Sequence, residues 1–133
     1  MLRVFGCGID IEEIGRFHAI IGKNIPCFFN DIFTGKEINI NNKYSDCITR
    51  FALGFSCKEA IFKSFGKSWI QSDIFWKDIE LLFTGRQINS YTIRLHHFAK
   101  KLFLKNRCKK IISGFECNAD YVVFHTVLLT EGK

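Results

Sequence analysis

The sequence predicts an α+β fold in which an antiparallel sheet packs against one long helix, with a single domain spanning residues 1–133. Three observations carry this. Residues 45–65 hold an apolar stripe at steps of three and four. Several short apolar segments, broken by turn residues, read as strands that pair back on their neighbours. Apolar residues make up 47% of the 133-residue chain, enough for one core and too many for a disordered segment.

The elements follow in order. Val4 to Ile11 is short and apolar with two glycines, and reads as a strand. Glu12 to Gly22 switches to helical spacing through Ile14, Phe17, Ile20 and Ile21, with Gly22 as the stop. Thr34, followed three residues later by Glu37, fits a capping box that opens a short helix, which Asn39, Asn41 and Asn42 close. Ser45 to Phe65 is the long helix, with Ile48, Phe51, Ala52, Phe55, Ala60 and Phe62 on its apolar side and Gly66 at its C-terminus. Ile74 to Phe83 reads as a strand that turns at Thr84-Gly85-Arg86, so that Tyr91 to Leu95 pairs back. His96 to Lys105 is an amphipathic helix with a basic face. Lys109 to Glu116 and Asp120 to Leu129 are two more strands, joined by a turn at Asn118. This mixture of helices with antiparallel strands defines the α+β class.

The net charge of +6 calls for an acidic or phosphate-rich partner without choosing among them. The basic run Lys100, Lys101, Lys105, Arg107, Lys109 and Lys110 reads best as a solvated face, since no aromatics are clearly placed on an exposed strand face as single-stranded nucleic acid requires. Six cysteines form no CxxC, and they read as reduced, largely buried thiols. None of His18, His96, His97 and His125 has a metal-ligand spacing, and His125, inside an apolar strand, reads as a core residue. No apolar run approaches the ~18 residues of a membrane span, so no membrane is expected as a partner, and nothing beyond net charge supports a nucleic acid. The N-terminus lacks the charged-then-apolar pattern of a secretion signal, so a cytoplasmic protein is expected, or one of a plastid-type organelle had a leader been removed, and the richness in Asn, Lys, Ile and Phe looks like an AT-rich genome.

Two clusters carry chemistry. In Gly6-Cys7-Gly8-Ile9-Asp10-Ile11-Glu12, strand alternation points Asp10 and Glu12 to one face, a pair able to hold a hard cation. On its own the pair is better explained as capping the following helix. In the segment 55–66, Glu59 and Lys63 stand one helical turn apart, which alone describes an ordinary surface pair worth roughly 0.2–0.5 kcal/mol.

Together the clusters resemble the signature of the phosphopantetheinyl transferases. The family's G-x-D-x-x-E element, followed by a basic residue, appears as Gly8 to Arg16, and its F-S/A-x-K-E-A-x-x-K-x-x-G element as Phe55 to Gly66. Between them Ile32 to Glu37 is similar to the family's F/L-T-x-x-E, and afterwards Trp76 to Glu80 is similar to its W-x-D-I-E strand. The length matches the short, holo-acyl-carrier-protein synthase type. The resemblance implies transfer of 4′-phosphopantetheine from coenzyme A to a serine of apo acyl carrier protein in fatty acid biosynthesis. It implies Mg²⁺ on Asp10 and Glu59, with Glu12 or a water as third ligand. Lys63, with Lys58, Gly66 and Lys67, would face the coenzyme A phosphates, and Arg16 would meet the carrier. Glu59 or a metal-bound water would be the base. A homotrimer with active sites between subunits is implied, with Asp10 and Glu59 meeting across an interface. The chain departs from the short type in three places. Gly54 stands where Arg is usual, Ser68 replaces a glycine, and Cys117 replaces a nucleotide-contacting His. Lys67, Arg50 or Lys109 with Lys110 would then serve the 3′-phosphate. Those departures leave a second reading, a non-catalytic module that binds coenzyme A or the carrier.

Overall fold

A computed structural model of the chain describes residues 1–22, 26–66 and 73–132. The elements run β1 (Arg3–Glu13), α1 (Ile14–Gly22), α2 (Pro26–Ile32), α3 (Gly35–Asn41), α4 (Cys47–Ser64), a 3₁₀ turn (Trp76–Asp78), β2 (Ile79–Phe83), β3 (Tyr91–Leu95), α5 (His97–Lys105), β4 (Cys108–Cys117) and β5 (Tyr121–Thr130). β1, β5 and β4 form an antiparallel sheet in that order, and β2 and β3 form a separate hairpin.

Helix α4 lies across the inner face of β1 and β5 and also touches α1, α3 and β2. Every residue from Arg50 to Ile61 except Glu59 is buried, so the expected one-sided stripe is in fact a helix enclosed on nearly all sides. The approach to β1 is possible only because β1 offers glycines there. A Cβ on Gly8 would stand 2.0 Å from the carbonyl oxygen of Ala60, and one on Gly6 would stand 2.1 Å from that of Ser64. A hydroxyl pair, Ser64 Oγ to Thr126 Oγ1 at 2.6 Å, pins α4 to β5 at the same level.

Three sequence expectations are corrected. The strand expected from Ile74 begins only at Ile79. Before it, the Asp78 carboxylate accepts from the Phe75 amide at 3.2 Å and the buried Lys58 ammonium takes the carbonyls of Trp76 and Ile79, which curls the chain into the 3₁₀ turn. His125 is exposed rather than core. β5 turns Val122, Phe124, Thr126 and Leu128 inward, which puts residue 125 on the opposite face. Its ring lies over Gly114, where any Cβ would sit 2.7 Å from Cε1. Among the described cysteines, Cys57 and Cys108 are buried as expected, whereas Cys7 and Cys117 are exposed, and none is in a disulfide.

The capping box is present as read. Thr34 Oγ1 accepts from the Glu37 amide at 3.1 Å, and the Glu37 carboxylate accepts from the Thr34 amide at 2.9 Å. Gly66, just past α4, has φ of 74°, the left-handed conformation that suits glycine at a helix C-terminus. Helix α2 was not anticipated, since two short turns give apolar periodicity little room to declare itself.

Candidate active site

Along β1 the alternation holds. Ile9 and Ile11 face outward, while Asp10 and Glu12 turn toward α4 and are only 8% and 6% exposed. Two carboxylates on a buried face need compensation, and α4 brings it. Lys63 Nζ donates to Asp10 Oδ1 at 3.1 Å and to the Ile9 carbonyl at 3.0 Å. Ser56 Oγ donates to the Asp10 carbonyl at 2.9 Å and fixes the backbone there. Arg16, on the first turn of α1, donates to Glu12 Oε1 at 3.1 Å. Oδ2 of Asp10 is buried with no hydrogen-bond partner among the described residues.

Glu12 reports how much negative charge is gathered here. Its pKa is pushed from 4.5 up to about 8, first by burial, then by the adjacent Asp10 carboxyl, with Glu59 adding to the push and Arg16 opposing it. Glu59, one turn before Lys63 on α4, therefore shares the site with Asp10 and Glu12 in a single chain. The expectation that Asp10 and Glu59 meet only across an interface is corrected, because the close β1–α4 contact joins them within one chain.

The donor set suits Mg²⁺. The atoms are hard carboxylate oxygens, one of them buried and unsatisfied, and a cation among them would offset the burial and the neighbouring carboxylates that raise the Glu12 pKa. Among the described residues no three acidic, His or Cys side chains form a ready-made cage. Mg²⁺ does not ask for one, since it commonly takes one or two carboxylates and completes its octahedron with phosphates and water.

Other expected site residues fall elsewhere. Lys58 is fully buried. Its ammonium donates to Glu37 Oε1 at 2.9 Å, to the Trp76 carbonyl at 3.1 Å and to the Ile79 carbonyl, which uses all three donors inside the protein. Its expected place beside the nucleotide phosphates is corrected accordingly. Arg50 is also fully buried, bonded to Asp46, to the carbonyls of Gly85 and Arg86, and lying over the Tyr44 ring at 3.8 Å. It cannot reach a 3′-phosphate. Lys110 pairs with Leu129, whereas Asp10 lies in the row of Phe115 and Phe124, about five residues or roughly 17 Å further along β4. Gly54 is buried under Phe33, whose ring carbon would lie 3.2 Å from a Cβ there, so a side chain at this position would press on that ring. Cys117 is exposed at the end of β4, in the row of Val122 and Glu12. Arg16 is exposed, Gly66 has open space about it, and Lys67 and Ser68 lie outside the described residues.

Sequence reasoning missed the partners of these groups. Ser56, Ser64 and Thr126 give no signal before the helix is placed on the sheet. Glu37 was recognised as a cap but not as the counter-ion of Lys58. Glu80, joined to Thr34 Oγ1 at 2.6 Å and to His96 Nε2 at 2.9 Å, was seen only as part of a strand.

The family model described as the 4′-phosphopantetheinyl transferase superfamily matches residues 6–124. A holo-[acyl-carrier-protein] synthase of Geobacter sp. (strain M21) is 31% identical over 100 residues, which covers 75% of this chain and 78% of that protein. The chain belongs to the 4′-phosphopantetheinyl transferase superfamily. Within it, the chain is a transferase of the holo-acyl-carrier-protein synthase type. The fold agrees with that of solved relatives. The Neisseria meningitidis holo-[acyl-carrier-protein] synthase aligns with a TM-score of 0.79 at 19% identity, over 95% of this chain and 98% of that one. The Bacillus anthracis synthase, solved in complex with CoA (3′,5′-ADP), aligns with a TM-score of 0.74 at 22% identity, over 96% and 98%. The two segments that carry the resemblance, Gly8 to Arg16 and Phe55 to Gly66, lie on β1 with the start of α1 and on the second half of α4 with the residues just after it.

Proposed function

We propose that this transferase moves the 4′-phosphopantetheine arm of coenzyme A onto a serine of an apo acyl carrier protein and releases adenosine 3′,5′-bisphosphate. The observation that carries the site assignment is the convergence of Asp10, Glu12 and Glu59 with Lys63 at the β1–α4 contact.

Asp10 and Glu59 would hold Mg²⁺, with Glu12 or a water as a further ligand. A Mg²⁺ ion there supplies Lewis-acid polarisation of the phosphate and offsets charge on the departing nucleotide. Glu59 accepts the proton of the carrier serine. The serine oxygen bonds to the β-phosphorus, and the phosphoanhydride bond to the 3′,5′-ADP group breaks. Lys63 places a compact positive charge against the phosphates as well as orienting Asp10. Gly66 lets the chain turn beside the nucleotide without a Cβ, and Arg16, exposed on α1, contacts the carrier. Lys67 is assigned to the nucleotide phosphates on the family resemblance alone.

The same reading includes a homotrimer. The outer face of the β1–β5–β4 sheet carries Val4, Ile9, Ile11 and Ile112 exposed, an apolar surface suited to burial between copies. Light scattering on the purified protein checks this, and a monomer at micromolar concentration refutes it.

The function is tested by intact-mass spectrometry of an apo acyl carrier protein incubated with the protein, coenzyme A and Mg²⁺. A gain of one phosphopantetheine, absent with EDTA, is the expected result. No gain with several carriers leaves the binding-module reading in place.

A further inference from the structure

The net positive charge of the chain is concentrated in one stretch. Of the 19 Lys and Arg and 13 Asp and Glu, eight basic and no acidic residues stand between Leu81 and Phe115, so this stretch alone carries +8 and the rest of the chain −2. All eight, Arg86, Arg94, Lys100, Lys101, Lys105, Arg107, Lys109 and Lys110, are exposed. No described carboxylate is ion-paired to any of them. The lobe is β3, α5 and β4, and it lies at the end of β4 away from the row of Asp10.

Large apolar side chains stand out among these charges. Helix α5 turns Ala99, Leu102 and Phe103 inward, and leaves Leu104 60% and Phe98 42% exposed. Leu104 sits one turn from Lys100 and Lys101, and Lys101 Nζ lies 5.2 Å from the Phe98 ring centroid. Phe75, 66% exposed, precedes the 3₁₀ turn against which α5 packs. Beside α5 opens a cavity of about 370 Å³ with walls of Tyr91, Ile93, Phe103 and Ile111, into which Lys109 and Lys110 bring their charge.

We infer that the β3–α5–β4 lobe is a docking surface for an anionic lipid bilayer, with Leu104 and Phe98 entering the headgroup boundary and the lysines meeting lipid phosphates. Protruding apolar side chains ringed by lysines are the pattern of an interfacial helix. A cluster of four to eight basic residues on such a helix is the pattern of anionic-lipid recognition. The adjoining cavity favours a lipid over an acidic protein, because it pairs cations with apolar walls, as a phosphodiester joined to a hydrocarbon requires. A nucleic acid would want stacking rings in series, and the lobe presents Phe98 singly. The sequence alone led away from a membrane partner because no apolar run is long enough to span one, a criterion that does not bear on a helix lying at the surface.

The test is co-sedimentation of the full chain with vesicles of phosphatidylcholine alone and with 30 mol% phosphatidylglycerol, at low and high salt. Binding to the anionic vesicles, weakened by salt and absent with phosphatidylcholine alone, is expected. A K100Q/K101Q/K105Q variant should bind roughly a hundredfold more weakly, from about fivefold per lysine. F98S/L104S should also weaken binding at unchanged charge. Both variants should keep the circular-dichroism spectrum of the parent and its transfer rate to a free carrier. The proposal is overturned if the parent ignores anionic vesicles at low salt, or if both variants bind as the parent does. A raised KM for the carrier in the lysine variant without vesicles would overturn it in favour of a protein partner.

Discussion

Lys58 offers the sharpest contrast between a residue that touches the nucleotide and one that builds the site. Replacing it with Met keeps the length of the stem and removes the charge. Glu37, 1% exposed, then loses its counter-ion, and the carbonyls of Trp76 and Ile79 lose a donor. Breaking one side of a buried ion pair costs about 3–5 kcal/mol, and each orphaned buried acceptor about 1–3 kcal/mol more, partly recovered as the loop relaxes. The expected loss is therefore at least about 4 kcal/mol. Burial already holds the Glu37 pKa above the ordinary value, against the pull of Lys58, so without Lys58 the carboxyl protonates more readily. The variant should accordingly regain part of its stability as pH falls, because a group with a raised folded pKa favours the fold below its unfolded pKa and loses that favour as pH rises. Adding Glu37→Gln removes the stranded charge and keeps one acceptor, for either the Thr34 or the Leu81 amide, and should restore part of the loss. Urea unfolding of the parent, the single and the double variant measures all three. A Lys58→Met protein of parental stability that has lost affinity for coenzyme A would refute the reasoning and return Lys58 to the nucleotide.

Asp10→Ala and Glu59→Ala should abolish transfer while the fold survives. Lys63 is half exposed, so removing Asp10 returns its ammonium to solvent and strands no buried charge. Parental turnover in either variant would sink the metal assignment. Glu12, raised from 4.5 to about 8, should make the metal-free protein lose thermal stability as pH climbs through that window. Glu12→Gln should flatten the profile, and thermal unfolding from pH 4 to 9 with EDTA checks it. Gly8→Ala puts a carbon 2.0 Å from a backbone oxygen of α4, so the helix must move off β1. A stability loss of about 1–3 kcal/mol or more is expected, with transfer falling at least tenfold in protein that remains folded.

The sequence made β1, α4 and the terminal β4–β5 hairpin legible because each is long enough for its periodicity to show. Asp10 and Glu12 could be placed on one face by alternation alone. The site as a whole was not legible that way. The pair Glu59 and Lys63 looks like any surface pair until α4 is laid on β1, and only then does Lys63 reach Asp10 rather than Glu59's own helix face. His125 was misread because an apolar strand of alternating burial hides which phase faces inward. The resemblance set Lys58 beside the nucleotide phosphates, and nothing local reveals that Glu37, 21 residues earlier, holds it in the interior.

The order of the motifs acquires a physical explanation from these contacts. Gly6 and Gly8 matter because Ala60 and Ser64 need their space, and Ser56 closes on the carbonyl of Asp10 from the same helix. Thr34 and Glu37 matter because Lys58 lies between them and the chain leading into β2, while Glu80 of β2 returns a hydrogen bond to Thr34. Each motif thus holds half of a contact whose other half stands in another motif. Random sequence can supply one half cheaply, but the first strand, the capping box, the long helix and the W-x-D-I-E segment together supply matched halves. The specificity of the set lies in that matching. Glu59 is fixed from both sides by it, with Lys58 anchoring the helix to α3 and β2 and Ser56 and Lys63 anchoring it to β1. A substitution at Glu37, far from any phosphate, should therefore lower transfer through the position of Glu59, and should do so with the affinity for coenzyme A changed less than the turnover.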